Sequence, residues 1–90
     1  MEKVRVAIVD DHEAVRLGFA GSCEKYNFDL VGSAPTVDEL LVQIEGKDCE
    51  VVVTDLSLDD GSLVAANVER LVEAGPAVLI FSIADKPNLM

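Results

Sequence analysis

Short apolar runs and longer amphipathic segments take turns along this chain. The apolar runs are rich in β-branched residues, which predicts buried strands. The segments between them place apolar residues at helical spacing, which predicts helices with one buried face. The predicted strands are residues 4–9, 30–31, 50–54 and 77–82. The predicted helices are residues 13–25, the segment between Thr36 and Gly46, and residues 62–74.

The helix after Thr36 has the clearest sequence signals. Thr36 is a candidate N-cap, and Glu39 follows three residues later, as in a capping box. Gly46 is placed to end the helix, and Gly32 is placed to end the strand before it. Apolar residues at helical spacing are Val37, Leu40, Leu41 and Ile44 here, Val15, Phe19, Cys23 and Tyr26 in the first helix, and Val64, Val68, Leu71 and Val72 in the third.

The order of elements, β-α-β-α-β-α-β, predicts an α/β fold with a doubly wound parallel sheet. The chain has 90 residues, half of them hydrophobic, which suits a single domain spanning 1–90 with a packed core. No apolar stretch is long enough to cross a bilayer, and no signal peptide is evident, so we expect a cytoplasmic protein. Cys23 and Cys49 lack the spacing of disulfide frameworks or metal sites, and we expect both to be buried.

Charge narrows the choice of partners. The formal net charge is −10, which repels phosphate backbones and argues against nucleic-acid binding by this chain alone. The same negative charge is compatible with binding of a cation or of a basic partner.

Three predicted strands are followed by polar side chains at the edge where parallel sheets bind ligands. Asp10 and Asp11 follow the first strand, Asp55 follows the third, and Ser82 is the last residue of the fourth. If the first and third strands are neighbours, the three acids converge. Two unit charges about 4 Å apart repel by roughly 4 kcal/mol at a dielectric near 20. Mg²⁺, which prefers oxygen ligands, is the natural counter-charge, and one acid then becomes a candidate to accept a phosphoryl group.

The simpler interpretation is that the acidic pair caps the first helix. One of the two residues is expected to do so. Capping explains neither the second acid of the pair nor Asp55 at an equivalent place. The sequence therefore favours an acidic metal site over caps and turns.

Three segments resemble the receiver domains of bacterial two-component response regulators: VAIVDDHEAVRLG, VVVTDLSLDDGS and VLIFSIAD. The likeness is to the branch that usually carries a C-terminal helix-turn-helix DNA-binding domain. It runs from about Arg5 to Pro87. It implies a flavodoxin-like sheet with strand order 2-1-3-4-5.

The resemblance also implies roles for individual residues. Asp55 would accept the phosphoryl group from a sensor histidine kinase. Asp11 would bind Mg²⁺ directly and Asp10 mainly through water, while Ser57 would offer its backbone carbonyl. Ser82 would be the switch hydroxyl. His12, common at its position in this branch, is expected to be a polar residue of the first helical turn rather than a ligand.

The chain departs from the family pattern in two places. Asp59 stands where the family usually has Pro, and we expect Asp59 and Asp60 to be solvated turn residues. The chain stops at Met90, where a fourth helix should begin, so a fifth strand, a fifth helix and a family lysine are missing. Lys86 does not match that lysine. The resemblance therefore implies an incomplete domain that does not switch by itself.

Loss of the fifth strand would leave the fourth as a sheet edge, with one sheet face uncovered. Its segment AVLIFSI is apolar and uncharged, which favours pairing with another chain. We therefore expect a homo-oligomer formed through residues 77–83 or through the uncovered face.

Two other functions remain open. A small phosphatase with an aspartate nucleophile usually has an acid two residues later, whereas Ser57 stands there. A receiver-like interaction module working without phosphorylation would normally have lost part of its acidic site, whereas all three acids are present. We therefore expect a phosphorylation-controlled switch rather than an enzyme.

Overall fold

A computed structural model describes the backbone of residues 3–55 and 64–81 and the side chains of 3–55 and 66–80. Strands and helices alternate as the hydrophobic pattern predicts. The strands are β1 (Arg5–Val9), β2 (Asp29–Ala34), β3 (Val51–Asp55) and β4 (Ala77–Phe81). The helices are α1 (Glu13–Lys25), α2 (Val37–Ile44) and α3 (Val64–Glu73).

The four strands form one parallel sheet in the order β2-β1-β3-β4, which confirms the predicted flavodoxin-like, doubly wound topology. Val9 at the end of β1 lies opposite Thr54 of β3. Since parallel strands point the same way, the residues that follow β1 lie beside Asp55, the last residue of β3. The pairing of β1 with β3 thus brings the acids at the ends of these two strands close together.

The main core lies between the sheet and the helices α2 and α3. It is built from small and β-branched strand residues and from leucines that the helices present. Leu40 and Leu71 are both fully buried there, and burial of a side chain of this size contributes about 1.5–3 kcal/mol. On the other face, Ile8 and Val53 line a groove beside Val15 of α1.

Gly32 does not end β2, contrary to the prediction. It pairs with Ala7 in the middle of the β1–β2 ladder, and the strand continues to Ala34. A Cβ at Gly32 would come within 2.9 Å of Ile44 Cγ2 and 3.0 Å of Leu40 Cδ1. The glycine is therefore a point of close approach between β2 and α2, a role that propensity alone does not reveal.

The predicted ends of α2 are confirmed. Thr36 is the N-cap, and its Oγ1 accepts a hydrogen bond of 3.2 Å from the backbone N–H of Glu39. The Thr36 hydroxyl also donates to Glu39 Oε2 at 3.3 Å. Gly46 follows the helix with φ of 79°, a left-handed conformation that glycine adopts without a Cβ penalty.

Two predictions of buried positions are wrong. Tyr26 is the C-cap residue of α1 and is 64% exposed, because the chain has left the helix before its side chain reaches the sheet. Val72 of α3 is 53% exposed, since Leu71 occupies the core-facing position beside it. Cys23 is buried as expected, whereas Cys49 is only half-buried. Burial raises the pKa of both thiols, so neither is an activated nucleophile.

Within the described ranges, β4 pairs only with β3 and is an edge of the sheet. Leu79 and Ile80, on opposite faces of β4, are 59% and 44% exposed. No helix in the described part of the chain has the length and apolarity needed to span a membrane.

Candidate metal centre

Three carboxylates and one imidazole ring meet where β1 and β3 end. Asp10 follows β1 directly, and its backbone N–H donates to the carbonyl of Ala34 in β2 at 3.0 Å. Asp11 and His12 form the turn into α1, and Asp55 is the last residue of β3. One ligand atom from each of these four side chains lies within 4.8 Å of the others. The acids that the sequence singled out are therefore brought together.

The Asp10 side chain is fully buried. Its Oδ1 accepts two hydrogen bonds of 2.8 Å, one from the backbone N–H of His12 and one from the His12 ring at Nδ1. Its Oδ2 is buried and has no hydrogen-bond partner among the described residues. Leaving a buried acceptor unpaired costs about 1–3 kcal/mol, and more when it is charged, so this oxygen needs a cation or a donor.

Asp11 has a second oxygen of the same kind. Its side chain is 14% exposed, and Oδ1 lies 3.1 Å from His12 Nδ1. This buried oxygen accepts no hydrogen bond from the described residues. An ionised carboxylate only accepts, so Nδ1 carries the hydrogen, and that one hydrogen is directed to Asp10.

His12 occupies a place that the sequence analysis assigned to an acid. It is the N-cap residue of α1, with extended backbone (φ −96°, ψ 114°) and no capping bond from its side chain. The expectation that Asp10 or Asp11 caps the helix is therefore wrong: Asp10 binds the backbone N–H of the N-cap itself. The two-residue spacing between Asp10 and His12, typical of an Asx turn, is the signal that could have shown this.

The cluster is electrostatically unbalanced. Among the described residues, no lysine or arginine forms an ion pair with Asp10, Asp11 or Asp55. The hydrogen bond to Asp10 raises the pKa of His12 above its ordinary value, and the charges of Asp11 and, more weakly, Asp55 add to this effect. Even when His12 is protonated, its single positive charge does not balance three carboxylates.

Arg16 supports the turn from outside the cluster. Its Nη1 donates a 2.5 Å hydrogen bond to the backbone carbonyl of Asp10. A charged donor makes a strong bond to a carbonyl, so the guanidinium fixes the backbone from which the Asp10 carboxylate projects. Sequence analysis missed this role, because a polar residue on a helix gives no sign of which carbonyl it will reach.

The described donor set suits a hard divalent cation. It offers carboxylate oxygens that lie within 4.8 Å of one another, and two of them are buried without a hydrogen-bond partner. Ser82, which the strand ends place at the site, and Ser57, which the resemblance adds, lie outside the described residues. Asp59, Asp60 and Lys86 lie outside them as well.

Comparison with solved structures identifies the fold. The receiver (REC) domain of the response regulator PhyR from Erythrobacter litoralis matches with a TM-score of 0.79 at 20% identity, over 93% of this chain and 66% of that one. RcsB from Salmonella enterica serovar Typhimurium, bound to promoter rprA in the presence of the phosphomimetic BeF3-, matches with a TM-score of 0.72 at 22% identity. That match covers 92% of this chain and 44% of RcsB.

A third match is PhyR, an anti-anti-sigma factor from Bartonella quintana, complexed with the anti-sigma factor NepR. Its TM-score is 0.73 at 23% identity, over 88% of this chain and 33% of PhyR. The chain thus spans from about one third to about two thirds of the length of these structures. No protein-family model matches the sequence, and no curated protein matches it. At these identities the comparison concerns architecture, and the architecture of this chain is that of response regulator receiver domains.

Proposed function

We propose that residues 1–90 form a phosphoacceptor receiver domain, in which Asp55 takes a phosphoryl group from a sensor histidine kinase with the help of Mg²⁺. One observation carries the proposal. In a receiver fold, the carboxylates of Asp10, Asp11 and Asp55 converge at the carboxyl ends of β1 and β3, and two of their oxygens are buried without a hydrogen-bond partner.

Mg²⁺ would be held at these carboxylates, where its charge offsets that of the acids and of the incoming phosphoryl group. As the resemblance implies, Asp11 would be a direct ligand, Asp10 would act mainly through water, and Ser57 would offer its backbone carbonyl. We place Asp55 at the same metal, because its carboxylate lies in the cluster. Two observations support this indirect role of Asp10: its side chain is fully buried, and its Oδ1 already accepts hydrogen bonds from His12.

Asp55 is the proposed nucleophile of the acidic cluster. A carboxylate oxygen attacks phosphorus, the bond from phosphorus to the imidazole nitrogen of the kinase phosphohistidine breaks, and the nitrogen keeps the electron pair. Asp55 is half-buried at a strand end, whereas Asp10 is enclosed. The greater access of Asp55 supports its assignment, with Ser82 as the hydroxyl that would bond the transferred group.

The proposed partners extend beyond this chain. RcsB bound to promoter DNA supports control of a DNA-binding effector domain. PhyR with NepR supports the alternative, a receiver that acts by binding a protein partner. Self-association through β4 is part of the proposal, supported by the exposed Leu79 and Ile80. Cytoplasmic location stays a prediction.

The test is phosphorylation of the chain by a small phosphodonor such as acetyl phosphate, read by intact mass and peptide mapping. The wild type should gain one acid-labile phosphoryl group on Asp55, and only when Mg²⁺ is present. Asp55→Ala should gain none, while the matched control Asp48→Ala should behave as the wild type. Labelling of Asp55→Ala at the wild-type rate would show that the nucleophile is wrong. Continuous release of phosphate with turnover would favour the phosphatase alternative.

A further inference from the structure

The His12 ring adds a nitrogen donor to the acidic cluster. Its Nδ1 lies 2.8 Å from Asp10 Oδ1 and 3.1 Å from Asp11 Oδ1. With Asp55, these side chains present four ligand atoms within 4.8 Å of one another. The ring nitrogen therefore points between the carboxylates.

We propose that His12 Nδ1 is a direct ligand for divalent first-row transition ions such as Co²⁺, held together with the carboxylates of Asp11 and Asp55. This inference deepens the metal centre on which the proposed function rests. Neighbouring ligand atoms of an octahedral ion with bonds of about 2.1 Å lie about 3.0 Å apart. The distance from His12 Nδ1 to Asp11 Oδ1, 3.1 Å, is close to that spacing.

The buried oxygens are a second and independent observation. Asp10 is fully buried, and its Oδ2 has no hydrogen-bond partner among the described residues; the same holds for Asp11 Oδ1. The single Nδ1 hydrogen reaches Asp10 Oδ1 and satisfies neither of these atoms. An ion between the ring and the acids contacts several oxygens at once, which a proton on the ring does not.

The presence of a ring nitrogen changes which ions the centre prefers. Mg²⁺ binds oxygen ligands and keeps several waters, so an imidazole adds little to its affinity. Co²⁺ and its neighbours bind imidazole nitrogen well, and their affinities rise along the first-row series. His12 is therefore expected to raise affinity for transition ions selectively, while the carboxylates serve both kinds of ion.

The position of His12 allows the ring to change partners. The His12 side chain is 61% exposed, so rotation of the ring disturbs no core contact. Asp10 Oδ1 keeps the bond from the backbone N–H of His12 when the ring leaves it. The turn that presents the acids is thus maintained without the ring.

The experiment uses the 90-residue chain without an affinity tag. His12 is the only histidine in the sequence, so its ring signals in ¹⁵N NMR spectra need no further assignment. Affinities for Co²⁺ and Mg²⁺ are measured by calorimetry in the wild type, His12→Gln, His12→Asn and the control Glu13→Gln. Glu13 is an exposed acid in the first turn of α1, outside the cluster.

We expect Co²⁺ to shift or broaden the His12 ring signals at substoichiometric amounts. Both His12 variants should bind Co²⁺ at least about tenfold more weakly, with no loss of Mg²⁺ affinity. Unchanged Co²⁺ affinity in both variants would overturn the proposal, and so would an equal loss for both ions. The retained Mg²⁺ affinity doubles as the test of folding.

The two proposals fail separately. Phosphorylation of Asp55 is measured with Mg²⁺ and needs no contribution from the ring. If that labelling fails while Co²⁺ binds through His12, the receiver function is wrong and the metal inference stands. If labelling succeeds and the His12 variants keep full Co²⁺ affinity, the reverse holds.

Discussion

Carboxylates cluster at both ends of the sheet, but the two clusters differ in burial and in charge compensation. At the end where β1 begins, Arg5 lies among Asp29, Asp48 and Glu50. Its guanidinium is 3.3 Å from Asp48 and 3.9 Å from Asp29, and Glu50 Oε2 accepts the Arg5 backbone N–H at 3.1 Å. These acids are exposed or nearly so, and water and an arginine compensate them.

At the other end, the acids are buried or half-buried and lack an arginine or lysine partner among the described residues. Asp10 is fully buried, and the nearby Arg16 binds a backbone carbonyl rather than a carboxylate. Exposed ion pairs contribute about 0–1 kcal/mol, whereas buried charges without a partner are costly. The difference shows that burial and missing compensation, rather than the number of acids, distinguish a candidate cation site from an ordinary charged surface.

Removing one acid at each end tests this comparison most strongly. Asp11→Ala should weaken Mg²⁺ binding about 30-fold or more, or ~2 kcal/mol, since it removes a charge in contact with the ion. Asp48→Ala, at the compensated end, should leave the affinity unchanged. Calorimetry on the two variants gives the answer, and equal losses would mean that Mg²⁺ responds only to net charge.

Stability without metal should respond in the opposite sense. In EDTA, Asp10→Asn should raise the free energy of unfolding by about 1–2 kcal/mol, because the amide removes a buried charge and supplies donors to neighbouring acids. Asp29→Asn should change it by less than about 0.5 kcal/mol. Urea unfolding measures both. A destabilised Asp10→Asn protein would show that the buried acid is already satisfied.

The two arginines provide a smaller contrast. Arg16→Gln should weaken Mg²⁺ binding about threefold to fivefold, because the carbonyl of Asp10 loses a charged donor and the turn is held less firmly. Arg5→Gln should have no effect on this affinity, although it removes the same charge. If both variants strengthen binding equally, Arg16 acts through its charge and not through its contact.

The smallest effect concerns His12. In EDTA, its pKa should lie above the ordinary 6.5, because Asp10 and Asp11 favour the charged ring. The resulting stabilisation is fully present below the unfolded-state pKa and is lost as the pH rises through the higher folded-state value. NMR titration of His12 should show a lower pKa in Asp10→Asn and no change in Asp29→Asn. A wild-type pKa at or below 6.5 would contradict the assigned contacts.

Most of the fold could be predicted from the sequence, because periodicity and capping are local. Thr36, Glu39 and Gly46 gave the ends of α2, and the order of elements gave the sheet. Gly32 could not be predicted in the same way, since its role depends on a close approach by α2. The predicted burial of Tyr26 was wrong, because the direction of this side chain depends on where α1 ends.

The acids of the candidate site could be predicted from the sequence, whereas the roles of His12 and Arg16 could not. Strand ends placed Asp10, Asp11 and Asp55 together once β1 and β3 were neighbours. The positions of His12 and Arg16 depend on the geometry of one turn, which sequence spacing describes only loosely. Contacts within a few residues of a turn are therefore where structure added most.

The strand order has a consequence for how this protein folds. β1 is central and is made first, yet its two partners follow only after α1 and after α2. Every strand pairing in the described sheet closes across a helix, so no hairpin can form early and most pairing is non-local. Such topologies fold more slowly than those built on local contacts. Asp10 follows β1 and Asp55 ends β3, and two helices separate these strands in the sequence, so the cluster assembles only when β3 docks on β1. The approach of these acids is therefore a kinetic marker for the pairing of β1 with β3, the central and most non-local pairing of the described sheet.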